Sequence, residues 1–116
     1  MKHYWLIPFL SLVALALAQD AAVSQDLRRG HDLAVTICAY CHAAEPAGSN
    51  ATVLDPPAAP LAQIANRADM SADALETFLR TTHRDLKEPK GMSNPQLLDV
   101  QIKEIAAYVM SLRKAR

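Results

Sequence analysis

Cys38-Ala39-Tyr40-Cys41-His42 is the stretch that decides how this chain of 116 residues folds. It holds both cysteines of the chain, three positions apart, with a histidine directly after the second. Two side chains with this spacing lie on one side of a helical turn, so the two thiols face the same way. The neutral imidazole that follows is a good ligand for a metal ion.

The pattern C-x-x-C-H is that of covalent attachment of c-type haem. The thiols of Cys38 and Cys41 can add to the two vinyl groups on one haem edge, while His42 turns its ring under the porphyrin. A thioredoxin-like redox pair would need a βαβ surround, which the sequence does not offer. The cysteines could also form a simple disulfide or half of a zinc site, but no second thiol pair exists for zinc. The motif therefore favours one covalently bound haem c.

Residues 1–18 have the features of a secretory signal peptide. Lys2 gives a positive start, an almost wholly apolar run leads to Ala18, and Ala16 with Ala18 forms an A-x-A cleavage pattern. An uncleaved membrane anchor is the alternative, but the apolar run is about 15 residues and a spanning helix needs roughly 20. We therefore expect cleavage after Ala18, export to the periplasm and a mature domain over residues 19–116.

The composition suits a small globular domain that contains a bound group. Apolar residues make up 51% of the chain and charged residues 21%. The mature part keeps 11 of the 12 Lys and Arg residues, because Lys2 is removed, and all 12 Asp and Glu residues, so its formal charge is −1. This charge gives no reason to expect nucleic-acid binding. Tyr40, Phe78 and Tyr108 are its remaining aromatic residues, and so thin a core usually needs a cofactor.

The apolar pattern of the mature chain predicts an all-α fold with loops, because no stretch alternates as a strand does. One helix is predicted over residues 23–37, and it runs straight into the cysteine motif. Residues 43–60 are predicted as an irregular loop because prolines and a glycine interrupt them. Two short helical patterns follow between residues 61 and 82, with Ser71 as the N-cap of the second. Asn94-Pro95 predicts the cap and first position of the last helix.

A haem iron bound by His42 has a sixth position, which methionine or histidine usually fills. Met92 is the predicted ligand, because it lies in a loop with glycine for close approach and proline to stiffen it. Met70 and His83 are alternatives, and so is the absence of any protein ligand. Met110 lies on the last helix, where packing or exposure is the expected use.

With these residues in hand, the chain resembles the class I c-type cytochromes in their small bacterial form, roughly from Gly30 to Leu112. Gly30 stands eight residues before Cys38, where that family has a glycine that lets two helices cross closely. Ile105 and Tyr108 look like the apolar-aromatic pair on the last helix that packs there. The resemblance implies a cytochrome c-like fold, with a few helices and loops wrapped around one covalently bound haem.

The resemblance also implies roles for residues around the iron. Met92, fifty residues after His42, matches the family's distal methionine. The family's proline before the middle helix gives its carbonyl to the axial histidine, and Pro57 and Pro60 are both candidates because the spacing does not choose between them. Arg67 is similar to the arginine that meets a haem propionate, and a solvated surface charge is the alternative for it.

The function implied by the resemblance is that of a soluble periplasmic electron carrier rather than an enzyme. Its iron would cycle between ferrous and ferric, and ligation by His42 and Met92 would leave no place for a substrate. A ligand-binding or peroxidatic haem protein is the alternative if Met92 does not ligate. The chain could also be a haem-bearing subunit of a membrane or periplasmic oxidoreductase complex, with the uncleaved signal as its anchor.

Redox donor and acceptor proteins are the implied partners, docking transiently at the exposed haem edge. A membrane would be reached only through a partner complex or an uncleaved signal. Arg84, Lys87 and Lys90 precede Met92 closely and predict a mild positive rim, which would raise encounter rates more than affinity. A solvated loop is the alternative, because acidic residues are interleaved with them.

Overall fold

A computed structural model of the chain describes residues 7–46, 51–81, 92 and 94–114, with side chains from Leu15 onward. Its elements in chain order are α1 (Ile7–Ile37), a 3-10 turn (Cys38–Tyr40), α2 (Leu61–Ala65), α3 (Ala72–Arg80) and α4 (Asp99–Ser111). Over these residues the β structure amounts to one isolated bridge between His42 and Ala58. The all-α fold predicted from the apolar pattern is therefore confirmed.

Helix α1 begins well before the start at residue 23 that the sequence predicts. Its side chains from residue 15 to 26 are exposed, and burial begins at Leu27, which is half-buried, and continues at Gly30 and Ala34. In the described part of the chain, no helix has both the length and the hydropathy needed to cross a membrane. The packed domain therefore uses only the last third of α1.

Helices α1 and α4 form the centre of the fold. Ala34 of α1 is fully buried, and α4 places Ile102, Ile105 and Val109 in the core, each no more than 2% exposed. These three positions recur at helical spacing, so one side of α4 is apolar along its length. Leu75 and Leu79 give α3 a similar buried side that completes the core. Both helices thus turn an apolar side toward the core.

Ser71 is the N-cap of α3, as the sequence predicts. Its hydroxyl accepts a hydrogen bond from the Ala74 backbone N–H at 3.1 Å. Such an N-cap satisfies one of the backbone donors that a helix start leaves unpaired. Asp73 lies in the first turn, where its negative charge is favoured by the helix dipole.

The start of α4 differs from the prediction, because the helix begins at Asp99 and not at Pro95. The Asn94 side-chain oxygen accepts from the Gln96 backbone N–H at 2.8 Å. Gln96 has φ of 53°, in the left-handed region that interrupts a right-handed helix. Asn-Pro serves turns as readily as helix starts, and here it forms a turn. At the true start, the Gln101 side chain accepts from the Leu98 N–H at 2.9 Å.

Candidate functional site

The cysteine motif follows directly from the end of α1. After Ile37 the chain tightens into the 3-10 turn, and the Cys38 carbonyl accepts from the N–H groups of Cys41 at 3.1 Å and His42 at 2.9 Å. The Cys38 carbonyl thus stabilises the backbone turn that carries both thiols and the imidazole. The three side chains that the sequence singles out lie on a single turn.

The loop that leads to α2 lies along this turn and holds it from outside. Its backbone N–H groups at Val53 and Ala58 donate to the carbonyls of Tyr40 at 2.8 Å and Cys41 at 2.9 Å. The first residue of α2 adds a third bond, to the carbonyl of residue 43 at 3.0 Å. The loop is irregular, yet it runs parallel to the motif where His42 and Ala58 form an isolated bridge.

The imidazole of His42 is oriented by a backbone carbonyl. Its Nδ1 lies 2.6 Å from the carbonyl oxygen of Ala59. A carbonyl can only accept, so Nδ1 carries a proton, and in the neutral ring Nε2 then carries the lone pair that a metal needs. Ala59 lies between Pro57 and Pro60, the two residues expected in this role. The carbonyl of Pro60 instead accepts from two N–H groups in the first turn of α2, at 2.9 and 3.1 Å.

The two cysteine side chains are both half-buried, and Cys38 packs against the core. Burial, and secondarily the nearby Cys41, raises the pKa of the Cys38 thiol to about 11. Redox-active pairs usually contain a thiol whose pKa is lowered, so that the thiolate is available. The environment of Cys38 does the opposite and argues against a thioredoxin-like pair.

Two methionines with ligand potential pack against the same core. Met92 and Met70 are both half-buried and contact the buried cluster. Met110 is also half-buried, on α4. The structure therefore keeps Met92 and Met70 together as candidates for the sixth iron position. His83, the remaining alternative, lies outside the described residues.

Arg67 is exposed, just after α2. Its guanidinium donates two hydrogen bonds to Asp69, from Nε to Oδ1 at 3.1 Å and from Nη2 to Oδ2 at 2.9 Å. This partner holds the pKa of the Asp69 carboxyl below its usual range. Contact between Arg67 and a propionate stays a prediction, and it would require the guanidinium to exchange or share its present partner.

Arg113, just after α4, has a role that the sequence does not reveal. Its Nε donates to the Ala65 carbonyl at 2.8 Å, and its Nη2 donates to the carbonyls of Met70 at 2.5 Å and Arg67 at 3.3 Å. The side chain thus ties the turn after α2 to the last helix. Sequence spacing gives no signal for this, because the acceptors are backbone groups more than forty residues away.

The donor set fits a porphyrin iron better than a bare metal ion. The described residues contain no group of three or more His, Cys, Asp and Glu side chains that could hold a metal. They do offer two adjacent thiols, an imidazole with its Nε2 lone pair and a thioether at Met92 or Met70. Thiols bond to the porphyrin edge, and imidazole and thioether are common axial ligands of its iron.

Comparison with known proteins finds similarity to one family and to one bacterial relative. The family model described as Cytochrome c matches residues 27–113. Cytochrome c-552 of Bradyrhizobium diazoefficiens is 34% identical over 111 residues, which cover 96% of this chain and 98% of that protein. No solved structure matches the chain at a significant level. The family match begins at Leu27, where burial of α1 also begins.

Proposed function

Because the chain belongs to the cytochrome c family, we propose that it is a periplasmic one-electron carrier whose haem iron is held by His42 and Met92. Haem c is its cofactor, and Cys38 and Cys41 are the proposed attachment points. The observation that carries the proposal is the hydrogen bond from His42 Nδ1 to the Ala59 carbonyl, 2.6 Å long. This bond orients the ring of His42, the histidine of the cysteine motif, so that Nε2 is left to bind the iron.

The bound haem supplies an iron that changes by one electron between ferrous and ferric. The chain holds the ligands still while this happens. The hydrogen bond to Ala59 fixes the ring of His42 and increases its donor strength. A thioether from Met92 would favour the ferrous state, and the apolar core beside it disfavours the extra ferric charge. Both of these last effects raise the reduction potential.

The residues that hold the iron also bear on the choice between carrier and enzyme. Two protein ligands leave no open position at the iron, so no substrate would bind there. Met92 packs against the core, and a ligand anchored in this way resists displacement. The chain then transfers electrons through the haem edge to donor and acceptor proteins. Arg84, Lys87 and Lys90, which would line the docking rim, lie outside the described residues.

Absorption spectra of the purified protein test the proposed ligands. We expect haem that survives denaturation, a weak far-red band in the ferric state and no change when carbon monoxide is added to the ferrous state. Met92→Ala should lose the far-red band and bind carbon monoxide. Met70→Ala is the matched control, since Met70 also packs half-buried against the core, and it should keep the band.

Two different sets of spectra would redirect the assignment. Loss of the band in Met70→Ala alone would move the sixth ligand to Met70. A wild-type protein with covalent haem, no far-red band and a prompt carbon monoxide shift would support a ligand-binding haem protein instead.

Export to the periplasm is proposed from the signal peptide at residues 1–18. Two observations support removal of this segment: the side chains of residues 15–26 are exposed, and the family match begins only at Leu27. Protein recovered from the periplasm should have the mass of residues 19–116 plus one haem. Full-length protein held in the membrane fraction would favour the anchored subunit of an oxidoreductase complex.

A further inference from the structure

The segment immediately after His42 is fastened to the helices at two successive residues. The Tyr108 hydroxyl on α4 donates to the Ala44 carbonyl at 2.9 Å, and Ala44 is fully buried. At the next residue, the Glu45 Oε1 atom lies 2.8 Å from Nε2 of His31 on α1. The chain that leaves His42 is therefore held by one neutral contact and one that can carry charge.

The hydrogen-bond partners of His31 favour its protonated form. Its Nε2 faces Glu45 at 2.8 Å, and its Nδ1 faces Asp32 at 3.2 Å. Both partners are carboxylates, which only accept hydrogen bonds when ionised, and only the imidazolium has two N–H groups to donate. These bonds, the one to Glu45 first, raise the pKa of His31 above its ordinary value.

The other groups near His31 do not offset the two carboxylates. From α4, the Tyr108 ring packs edge-on against the imidazole, with centroids 5.2 Å apart and planes at 83°. Burial and then the charge of Glu45 raise the pKa of Tyr108, so this side chain stays neutral. One turn earlier on α4, Glu104 is paired with Arg29 of α1 at 3.4 Å, and this pair has no net charge. The field at His31 is thus set by Asp32 and Glu45.

We propose that His31 is a positioning residue for His42, holding it through Glu45, and that the proton on His31 is linked to the oxidation state of the iron. The inference rests on the proposed function, in which His42 binds the haem. Glu45 is three residues beyond His42 in a segment tied by backbone and side-chain bonds, so the imidazolium is connected to the iron site by a short, ordered path.

The direction of the linkage follows from charge. Oxidation adds one positive charge at the iron, and a second positive charge nearby is then disfavoured. The pKa of His31 is therefore lower in the ferric protein than in the ferrous protein. By reciprocity, the reduction potential falls as pH rises through the range in which His31 loses its proton. A surface ion pair with no link to the haem would leave the pKa equal in both states.

The test uses the intact haem protein. Proton NMR follows the His31 ring resonance against pH in the ferrous and ferric states, with the resonance assigned by its loss in His31→Gln. We expect a lower His31 pKa in the ferric state and, in wild type, a fall in reduction potential over the same pH range. His31→Gln, which keeps a donor but cannot titrate, should lose this pH step.

Glu45→Gln and Asp32→Asn separate the two carboxylates. Both changes keep side-chain size and remove one charge beside the imidazole. Glu45→Gln should lower the pKa of His31 more than Asp32→Asn, because Glu45 has the shorter contact, and it should also shift the reduction potential. Asp32→Asn should leave the potential nearly unchanged at a pH where His31 is protonated.

Equal His31 pKa values in the two oxidation states would overturn the inference, and both values are measured on the wild-type protein, with His31→Gln used only to assign the resonance. The far-red band and carbon monoxide spectra are recorded on the same sample. Absence of the band would contradict ligation by Met92, while leaving the comparison of the two His31 pKa values fully readable. The two ideas therefore fail separately.

Discussion

The backbone carbonyl of Glu104 on α4 lies directly against the α carbon of Gly30 on α1, where the two helices cross. A Cβ at position 30 would overlap this carbonyl oxygen and lie 2.7 Å from the carbonyl carbon and 2.8 Å from the Cβ of Tyr108. Carbon atoms do not approach so closely without a shift of the backbone. Helix α1 leads into the cysteine motif, and α4 is the final helix. Their close crossing therefore depends on the absence of a side chain at position 30.

Gly30→Ala should destabilise the protein by about 1–3 kcal/mol, the usual cost of overpacking a close contact. The sign of this stability change is informative. In a helix without a close neighbour, alanine is favoured over glycine by about 1 kcal/mol, so the same substitution would stabilise the protein. Chemical denaturation of the ferric protein, followed by far-UV circular dichroism, measures the change in the free energy of unfolding.

Val35→Ala provides the control on the same helix. Val35 is 39% exposed, so its truncation removes little buried surface and should cost well under the Gly30→Ala change. An alanine at position 30 that stabilised the protein would mean that α1 and α4 do not pack this closely in solution.

The sequence predicts those features of this fold that depend on local patterns or on a recognisable motif. The C-x-x-C-H stretch places its three side chains on one turn, and the Ser71 hydroxyl caps the helix that follows it. Gly30 and Tyr108 meet at the helix crossing, as the resemblance implies. In each case the residue type itself carries the constraint, whether a thiol, a capping oxygen or the absence of a Cβ.

Other features depend on backbone groups or distant pairs and leave no local trace. Any residue can supply the carbonyl that orients His42, so the prolines that mark the loop do not identify Ala59. Asn94-Pro95 favours a turn and a helix start alike, and only the left-handed Gln96 decides between them. The pairing of His31 with Glu45 requires knowing how the loop folds back onto α1.

Arg113→Ala should lower the free energy of unfolding by about 1–2 kcal/mol, because it removes charged hydrogen bonds to the carbonyls that follow α2. In a domain of this size, each kcal/mol lost from the free energy of unfolding lowers Tm by about 4–8 °C. Arg113→Lys should recover only part of the loss, because an ammonium group lacks the planar fork that reaches separate acceptors. Thermal unfolding followed by circular dichroism measures both variants.

Lys114→Ala is the matched control for Arg113. The contact of Lys114 with Asn66 uses its backbone N–H, at 3.1 Å, and survives truncation of the side chain. Its Tm should therefore stay close to that of the wild type. An equal fall in both variants would assign the effect to general loss of positive charge at the end of α4.

The raised pKa of His31 makes the stability of the protein depend on pH. Its folded-state pKa lies above the unfolded value of 6.5, so folding is favoured by binding the proton. This contribution is fully present below about pH 6.5, while Glu45 and Asp32 remain ionised, and it is lost as pH rises through the folded pKa. Denaturation of wild type and His31→Gln across a range of about pH 5.5–9 should show their difference in stability shrinking with rising pH. A difference that is constant over this range would contradict the prediction.

Neutralising Lys87 and Lys90 together should slow electron transfer to a redox partner with an acidic surface at low ionic strength. Positive charges near the haem edge steer the encounter, and salt screens this steering, so the rates of wild type and variant should converge at high ionic strength. Stopped-flow measurement at several salt concentrations gives the dependence of the rate on ionic strength.

Lys103→Gln, at an exposed position on α4, controls for loss of net charge and should change the rate less per charge removed. An unchanged low-salt rate in the double variant would show that these lysines take no part in docking.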